Sequence, residues 1–600
     1  IYMTLLQHIQ PRRATLMAAA ITVIAASAQN MSTQIVVERQ IEPEYRPAVR
    51  PSGVSPVALA PTVTTPRLSA APYSALARLD ASLTMLEPAA WGDTLYVSPF
   101  RGYANLGYLP AANAAASLGY TFINTRNSRV SAFADYLANK YHGYRDADNG
   151  HRAQTDYSHQ ELRIGADALH RLDRHNTLAA SVEYAFGSTQ MPEYAHGPAN
   201  TFKQNTNRAH FAADWSHRGS LAADAGASVR YFGFTKDIYN TGTSSGTLIP
   251  EDPMSEALYN IHGNIAVTSG KWLLRLRAAA TWQHHSPAAA SLYAYAADNG
   301  VSDDALFGYA HYGYHTNALY TFTPSAEVRS GSFTGIFGVR LDLSRGGFSK
   351  KFYAAPDIRL NWQISSRVAL WARVGGGKVL NTLEDLYAYT PYMSGAYGYD
   401  MSSIPVTVDA GINMGPFSGF SIALELGGAS ANEWLMPAMA NGANCYEMTK
   451  VAGIHYRAAL AWDALKWFSA HASIEGATQS EDGDDGGYYL WRDRARWQTN
   501  VGIALRPLKP LTLSVDWNLR TKRRAYELGS ASFLTMGFLY HKNIINLGNI
   551  NDISASAAWQ FSERLSAHVM LTNILCRRYY IIPGVASARL GGTLGVSYQF

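Results

Sequence analysis

Charge is scarce in this 600-residue chain: Asp, Glu, Lys and Arg make up 16% of it, against roughly 25% in ordinary soluble domains. The net charge of +5 is too small for this length to point to a nucleic-acid partner. Cysteine is scarcer still. Cys445 and Cys576 are the only two, and they show no metal-ligand spacing. Long apolar runs are missing as well. Past the N-terminus no stretch holds eighteen consecutive apolar residues, which excludes a helical membrane span. Yet 47% of the residues are hydrophobic and 12% aromatic, with 37 Tyr, 13 Trp and 49 Gly. A chain that is apolar overall but never continuously so must hide its apolarity in alternation, as a membrane β-barrel does.

The last eleven residues show the pattern. Leu590, Gly592, Leu594, Val596, Tyr598 and Phe600 fall on one face of a strand, and Gly591, Thr593, Gly595, Ser597 and Gln599 on the other. An apolar face ending in a C-terminal Phe suits a lipid-facing closing strand, which would engage the barrel-assembly machinery. The small polar face suits a lumen. The same alternation recurs from Arg101 onward. Lipid-side candidates include Leu162 and Ile164, Trp272, Leu274 and Leu276, Phe337, Val339 and Leu343, Phe420, Leu424 and Leu426, Val515 and Trp517, and Trp559 and Phe561. Between them lie polar residues. Arg163, Arg275, Arg277, Arg340, Arg373, Glu425 and Asp516 are the candidates for a lumen lining that tunes selectivity, or that pairs across strands and fills space.

The connectors alternate in length. Short turns are expected near 124–128, 171–176, 216–219, 268–271, 323–330, 364–367, 414–419, 463–466, 506–510 and 562–564. Long polar, Gly- and Tyr-rich stretches are expected at 140–154, 189–204, 237–256, 286–307, 379–401, 430–449, 478–490 and 524–546. Short periplasmic turns alternating with long outer loops give an all-β fold, an antiparallel transmembrane barrel of about 22 strands of the outer-membrane type. Side chains cannot fill a lumen of that width.

Ahead of the barrel, Arg12 and Arg13 precede the apolar run 14–25, and Ala26-Ser27-Ala28 offers a cleavage site, so residues 1–28 are expected to be a signal peptide for export. Residues 29–98 form a proline-rich periplasmic arm. Pro43, Pro47, Pro51, Pro56, Pro61, Pro66 and Pro72 enforce extended backbone there. That arm could dock a periplasmic or surface-lipoprotein partner or be a solvated tail. Residues 99–600 are the barrel, in contact with outer-membrane lipid.

Other chemistry finds little support. Arg373-Val-Gly-Gly-Gly-Lys378 lacks the spacing of a phosphate loop. His284-His285 reads as an exposed loop pair rather than a metal site. Glu481-Asp-Gly-Asp-Asp485 reads as a solvated acidic loop, with loop Ca²⁺ as the alternative. No spacing singles out a catalytic set, so an enzyme is not expected, nor any cofactor.

Two stretches resemble the TonB-dependent receptor family. Gly375-Gly-Gly-Lys-Val-Leu-Asn-Thr-Leu-Glu-Asp-Leu-Tyr387 is similar to its mid-barrel strand-to-loop signature, matching at Gly375, Gly377, Leu383, Glu384, Leu386 and Tyr387. Thr572-Asn-Ile-Leu-Cys-Arg-Arg-Tyr-Tyr580 is similar to its C-terminal signature, matching at Asn573, Arg578 and Tyr579, with Phe600 closing the last strand. The Phe-Arg-Ala-Pro usual after the mid-barrel glycines is absent, and Cys576 stands where Asn is common. The resemblance implies transport or binding of solutes at the surface of the outer membrane. The stretch ahead of the barrel is too short for the family's full plug, which is the pattern of plugless receptor-like barrels of the Bacteroidota. The alternative function is a structural or assembly scaffold that recruits partners through the N-terminal arm.

Overall fold

The computed structural model describes residues 100–109, 113–146, 152–190, 203–219, 221–235, 255–286, 316–346, 351–389, 401–440, 443–478, 495–528, 542–582 and 585–600. All of these residues belong to one compact unit. The expected signal peptide, the proline-rich arm and the acidic run 481–485 lie outside the described residues.

The strands run β1 (Gly102–Leu109), β2 (Asn113–Asn124), β3 (Ser128–Asp146), β4 (Arg152–Arg171), β5 (Asn176–Gln190), β6 (Lys203–His217), β7 (Leu221–Phe234), β8 (Ser255–Ser269) and β9 (Trp272–Ser286). Next come β10 (Asn317–Ser330), β11 (Phe333–Arg345), β12 (Phe352–Ser365), β13 (Val368–Val379) and a short helix, α1 (Leu383–Tyr389). Then follow β14 (Ser402–Phe417), β15 (Phe420–Ala440), β16 (Ala443–Leu465), β17 (Phe468–Ala477), β18 (Trp497–Leu508) and β19 (Leu511–Thr521). The last are β20 (Arg524–Leu528), β21 (Lys542–Asn546), β22 (Ile550–Gln560), β23 (Leu565–Thr572), β24 (Tyr580–Ile582), β25 (Val585–Ala586) and β26 (Gly591–Gln599).

Strands β1 to β19 pair antiparallel in chain order, followed by β22, β23 and β26. Strand β26 then pairs back onto β1, with Leu106 opposite Val596, and closes a 22-strand antiparallel barrel of the outer-membrane type. Closure removes both sheet edges, whose unpaired backbone groups would be costly in lipid. The hairpin β20–β21 stands outside this ring, its first strand running parallel to the far end of β15. Strands β24 and β25 make a separate two-stranded ribbon.

The outward face carries the apolar half of the alternation. Leu162, Ile164, Trp272, Leu274, Leu276, Phe337, Val339, Leu424, Leu426 and Val515 are all exposed large apolar side chains. Aromatic residues gather at the short turns. Phe420 stacks on Trp462 at 5.4 Å, and Trp462 and Trp467 meet Phe468 at 5.3 and 5.8 Å. This is the girdle position in an outer-membrane barrel.

Nine of the ten expected short turns fall where the hairpins turn. The exception is 323–330. Strand β10 runs through Pro324 to Ser330, and the turn is Gly331–Ser332, with Gly331 at φ +57°. Pro324 interrupts the β10–β11 ladder locally: the pairs Phe322–Leu341 and Ser325–Gly338 keep one register, but Thr323 and Pro324 have no partner residue on β11. Two expected loops, 140–154 and 430–449, are largely strand. β3 extends to Asp146 and β15 to Ala440, well past the ~9–11 residues that cross a membrane.

Candidate lumenal site

Within the barrel the inward face is a lattice of cross-strand ion pairs. Arg163 faces Asp135 in register and reaches it at 2.7 Å, with Glu183 at 3.8 Å. Arg275 lies 3.9 Å from Glu327, Arg277 2.7 Å from Asp357, and Arg340 3.0 Å from Asp342. Glu425 lies 3.8 Å from His455, and Asp516 3.8 Å from His471. Arg373 stands opposite Arg359 on one side and Asp409 on the other. Each of these pairings, Arg340–Asp342 aside, joins different strands, as expected where alternate side chains share one face.

The mid-barrel stretch is where the lumen acquires a structure of its own. At its start, Gly377 adopts φ +122°. A Cβ there would lie 2.6 Å from Arg340 Nε and 2.7 Å from Asp342 Oδ2, so only glycine fits. The fully buried Asp342 accepts from Thr321 Oγ1 (2.7 Å) and from the Lys378 backbone N–H (2.7 Å), while Lys378 Nζ donates to Ser344 Oγ at 2.6 Å. Gly375, by contrast, would meet only Thr407 Oγ1, at 3.3 Å.

The chain then turns inward as α1. Thr382 caps it: its Oγ1 accepts from the Asp385 N–H at 3.0 Å. Glu384 and Asp385 in the first turn complement the positive end of the helix dipole. Seven residues cannot hold a helix alone, so tertiary contacts must supply its stability. Glu256 of β8, itself 1% exposed, accepts the Leu383 N–H at 3.1 Å, Gln283 Nε2 at 2.7 Å and His285 Nε2 at 3.1 Å. Gln283 also donates to the Asn381 carbonyl at 2.7 Å. His285 is therefore a buried structural residue, not part of an exposed pair. It sits on the inward face beside Glu256, whereas His284 is exposed.

Leu383, Leu386 and Tyr387 are buried. The Tyr387 ring lies 5.2 Å from Phe232, 6.4 Å from Phe234 and 6.2 Å from His159, and its hydroxyl is 3.4 Å from Thr189 Oγ1. Burial pushes its phenol above the ordinary pKa. Glu384 lies 3.8 Å from Arg208 and 3.9 Å from Arg230. Its carboxyl is nonetheless raised, because loss of water outweighs the two guanidiniums. The helix thus leaves β13 and packs against inward-facing residues of β4 to β9, at the ends of those strands that bear the long connectors.

The C-terminal stretch does the same. Asn573, at φ +51°, acts as a clasp. Its N–H donates to Asp552 Oδ1 (2.9 Å), its Nδ2 to the carbonyls of Arg577 and Ala588 (2.7 Å each), and its Oδ1 accepts the Arg577 N–H (3.0 Å). The Tyr579 hydroxyl lies 3.3 Å from Asp552 Oδ2, and burial beside that carboxylate raises its pKa strongly. The Arg523 guanidinium donates to the carbonyls of Tyr580 and Ile581. Tyr141, stacked on Tyr157 at 5.0 Å, donates to the Ala586 carbonyl at 3.0 Å. Phe600 stacks on Tyr120 at 6.0 Å where the barrel closes. Arg578 is exposed.

The two motif stretches, nearly two hundred residues apart in sequence, meet in one buried cluster. Leu383, Leu386 and Tyr387 share it with Tyr579, Ile581, Ile582 and Val585, and with Tyr141, Tyr157, Phe232 and Phe234 from the wall. Sequence reasoning marked the motif residues but missed Arg208, Arg230, Phe232, Glu256, Gln283, Arg523 and Asp552. Nothing in their local sequence separates these from any other inward-facing strand residue.

No protein-family model matches the chain, and no curated protein matches it. Solved structures do. A mutant of the ferric enterobactin receptor PfeA from Pseudomonas aeruginosa aligns with a TM-score of 0.62 at 12% identity, covering 84% of this chain and 81% of that one. The siderophore receptor PirA from Acinetobacter baumannii aligns with a TM-score of 0.62 at 10% identity, over 84% of this chain and 81% of the other. The FrpB iron transporter from Neisseria meningitidis gives 0.60 at 13%, again over 84% and 81%. At such identities the likeness shows the fold: that of siderophore-receptor barrels. These similar structures are two receptors and a transporter.

Proposed function

We propose that this chain is an outer-membrane receptor-type transport barrel that binds a solute at the cell surface and passes it through the lumen. The observation that carries this reading is the buried cluster of α1 and the 573–588 segment inside a barrel whose lumen its own wall cannot fill. A scaffold has no need of a helix that is capped, clamped and packed within the lumen at its outer end. A receptor needs such a helix as a floor for a binding vestibule and as a barrier to free diffusion. The proteins it resembles in fold are named as a ferric enterobactin receptor, a siderophore receptor and an iron transporter, which supports solute uptake of this general kind. The lumen arginines Arg163, Arg275, Arg277, Arg340 and Arg373, with Glu425 and Asp516, would set the electrostatics of the path. Lipid contacts the exposed apolar face, and the closing strand ending at Phe600 would engage the assembly machinery.

The test is permeation of a large polar antibiotic such as vancomycin into cells expressing the chain. The proposal expects little permeation with the parent chain and sensitisation when Leu383, Leu386 and Tyr387 are replaced by Ala together. Equal sensitivity of the two would overturn it.

A further inference from the structure

One cluster on the inward face is used neither by α1 nor by the C-terminal segment. Asp409 on β14, Glu425 on β15 and His455 on β16 bring one ligand atom each within 4.8 Å of one another. His455 Nε2 is 3.1 Å from Asp409 Oδ1 and 3.8 Å from Glu425 Oε1. We propose that Asp409, Glu425 and His455 form a binding site for a divalent transition-metal cation on the lumen wall.

The register explains how the site is built. Asp409 pairs with Gly427, and Gly427 pairs with His455, so the two ligands sit on strands that flank the glycine. Their backbones are about 9–10 Å apart, two strand spacings, and their side chains meet over Gly427. A Cβ there would stand 2.2 Å from Asp409 Oδ1 and 2.5 Å from His455 Cε1. Glu425, two residues before the glycine on the same face, supplies the third ligand. Arg457 stands directly opposite Glu425, but its guanidinium is turned to Glu475 at 3.3 Å. Arg373 stands directly opposite Asp409 on the other side of the site.

Among the described residues the same rung occurs twice more. Asp214–Gly226–His262 closes at 3.2 Å and Asp516–Gly502–His471 at 3.8 Å, each again with glycine on the middle strand. Among the described residues neither gathers a third ligand. In the first, the residue corresponding to Glu425 is Asp224, which accepts a hydrogen bond from Asn264 at 2.8 Å instead. The other two rungs are therefore simple Asp–His pairs, and they serve as internal controls.

The chemistry of the set selects the ion. One imidazole nitrogen and two carboxylates favour Zn²⁺ and the other first-row dications over Ca²⁺ or Mg²⁺, which prefer all-oxygen sets. Bonds of about 2.0–2.2 Å place tetrahedral ligand atoms roughly 3.3 Å apart. The three donors thus need only small rotamer adjustments to close on an ion, leaving a fourth position open to the lumen. His455 is buried while both carboxylates are partly exposed, so the ion has an entry path.

The probe is Zn²⁺ titrated calorimetrically into the full-length barrel, purified in detergent without a histidine tag and stripped with EDTA. Retention of the heat-modifiable band on gels reports the fold of each variant. The expected result is one saturable Zn²⁺ per chain, undisplaced by excess Ca²⁺. It should be lost in the near-isosteric variants Asp409→Asn and Glu425→Gln and in Gly427→Ala, and kept in His262→Gln and His471→Gln. No stoichiometric Zn²⁺, or Zn²⁺ bound as well by folded Asp409→Asn and Glu425→Gln as by the parent, would overturn the proposal.

Discussion

Replacing Tyr387 by Ala should release α1 from the lumen wall while leaving the barrel closed. Tyr387 is 4% exposed and its ring packs on Phe232, Phe234 and His159. Truncating a buried aromatic side chain to Ala costs about 3–5 kcal/mol where the surroundings cannot collapse. In a ladder-held strand that cost would be shared by the whole barrel. In α1 it falls on a seven-residue helix with no stability of its own, so it goes into the docking equilibrium. At about 1.4 kcal/mol per tenfold, the docked-to-free ratio should fall by two to nearly four orders of magnitude. Hydrogen exchange read by mass spectrometry checks this. Amides of 383–389 should lose protection by about that factor, while ladder amides of β5 to β8 keep theirs. Two results would refute the reasoning. Unchanged protection in α1 would mean the helix is held by Glu256 and Gln283 without the aromatic cluster. Loss of the folded barrel would mean that α1 is part of the wall's stability.

Three further outcomes follow from the same contacts. Because burial raises the Glu384 carboxyl, its contribution to docking is full below the ordinary carboxylate range and is lost as pH rises through the raised value. Corrected for intrinsic exchange, α1 should be better protected at about pH 4 than at pH 8, and Glu384→Gln should remove that slope; the same slope in the variant would contradict the assignment. Arg523→Met deletes donors to two carbonyls of the C-terminal segment, each charge-assisted bond being worth about 1.5–3 kcal/mol. Limited proteolysis within 573–590 should therefore accelerate at least about tenfold, and an unchanged cleavage rate would show that Asn573 suffices as the clasp. Leu424→Arg puts a charge on the lipid face, at about 2–4 kcal/mol near the midplane, and should lower the yield of heat-modifiable barrel. Glu425→Gln, one residue on and facing the lumen, should not; equal yields would mean that the two faces are misassigned.

Much of the wall was legible in the sequence because a strand writes its two faces in alternate letters. Leu162 and Ile164 against Arg163, or Leu424 and Leu426 against Glu425, need no register to be read. The misplaced turn at 323–330 shows the limit. Pro324 and Ser330 look like turn residues, yet both lie within β10, where the ladder yields locally to the proline. Strands β3 and β15 outrun the expected length because their ends, such as Trp434-Leu435-Met436-Pro437, lose the alternation that marks the membrane part. The lumenal site was legible only where it lies in contiguous sequence, as in Thr382 to Tyr387 or Asn573 to Tyr579. Its other half, Phe232, Glu256, Gln283 and Asp552, comes from strands whose neighbours are fixed by register and barrel closure. The Asp–Gly–His rungs were invisible for the same reason, since each joins residues from three strands.

The central claim is that α1 and the C-terminal segment obstruct the lumen. Single-channel conductance in planar bilayers tests it most directly, on the full chain and on a chain lacking residues 29–98, each with and without Ala at Leu383, Leu386 and Tyr387. The account predicts that the shortened chain conducts little until the three substitutions are made, and that they then open a wide pore. A wide pore in the shortened chain without them, or no pore with them, would contradict it.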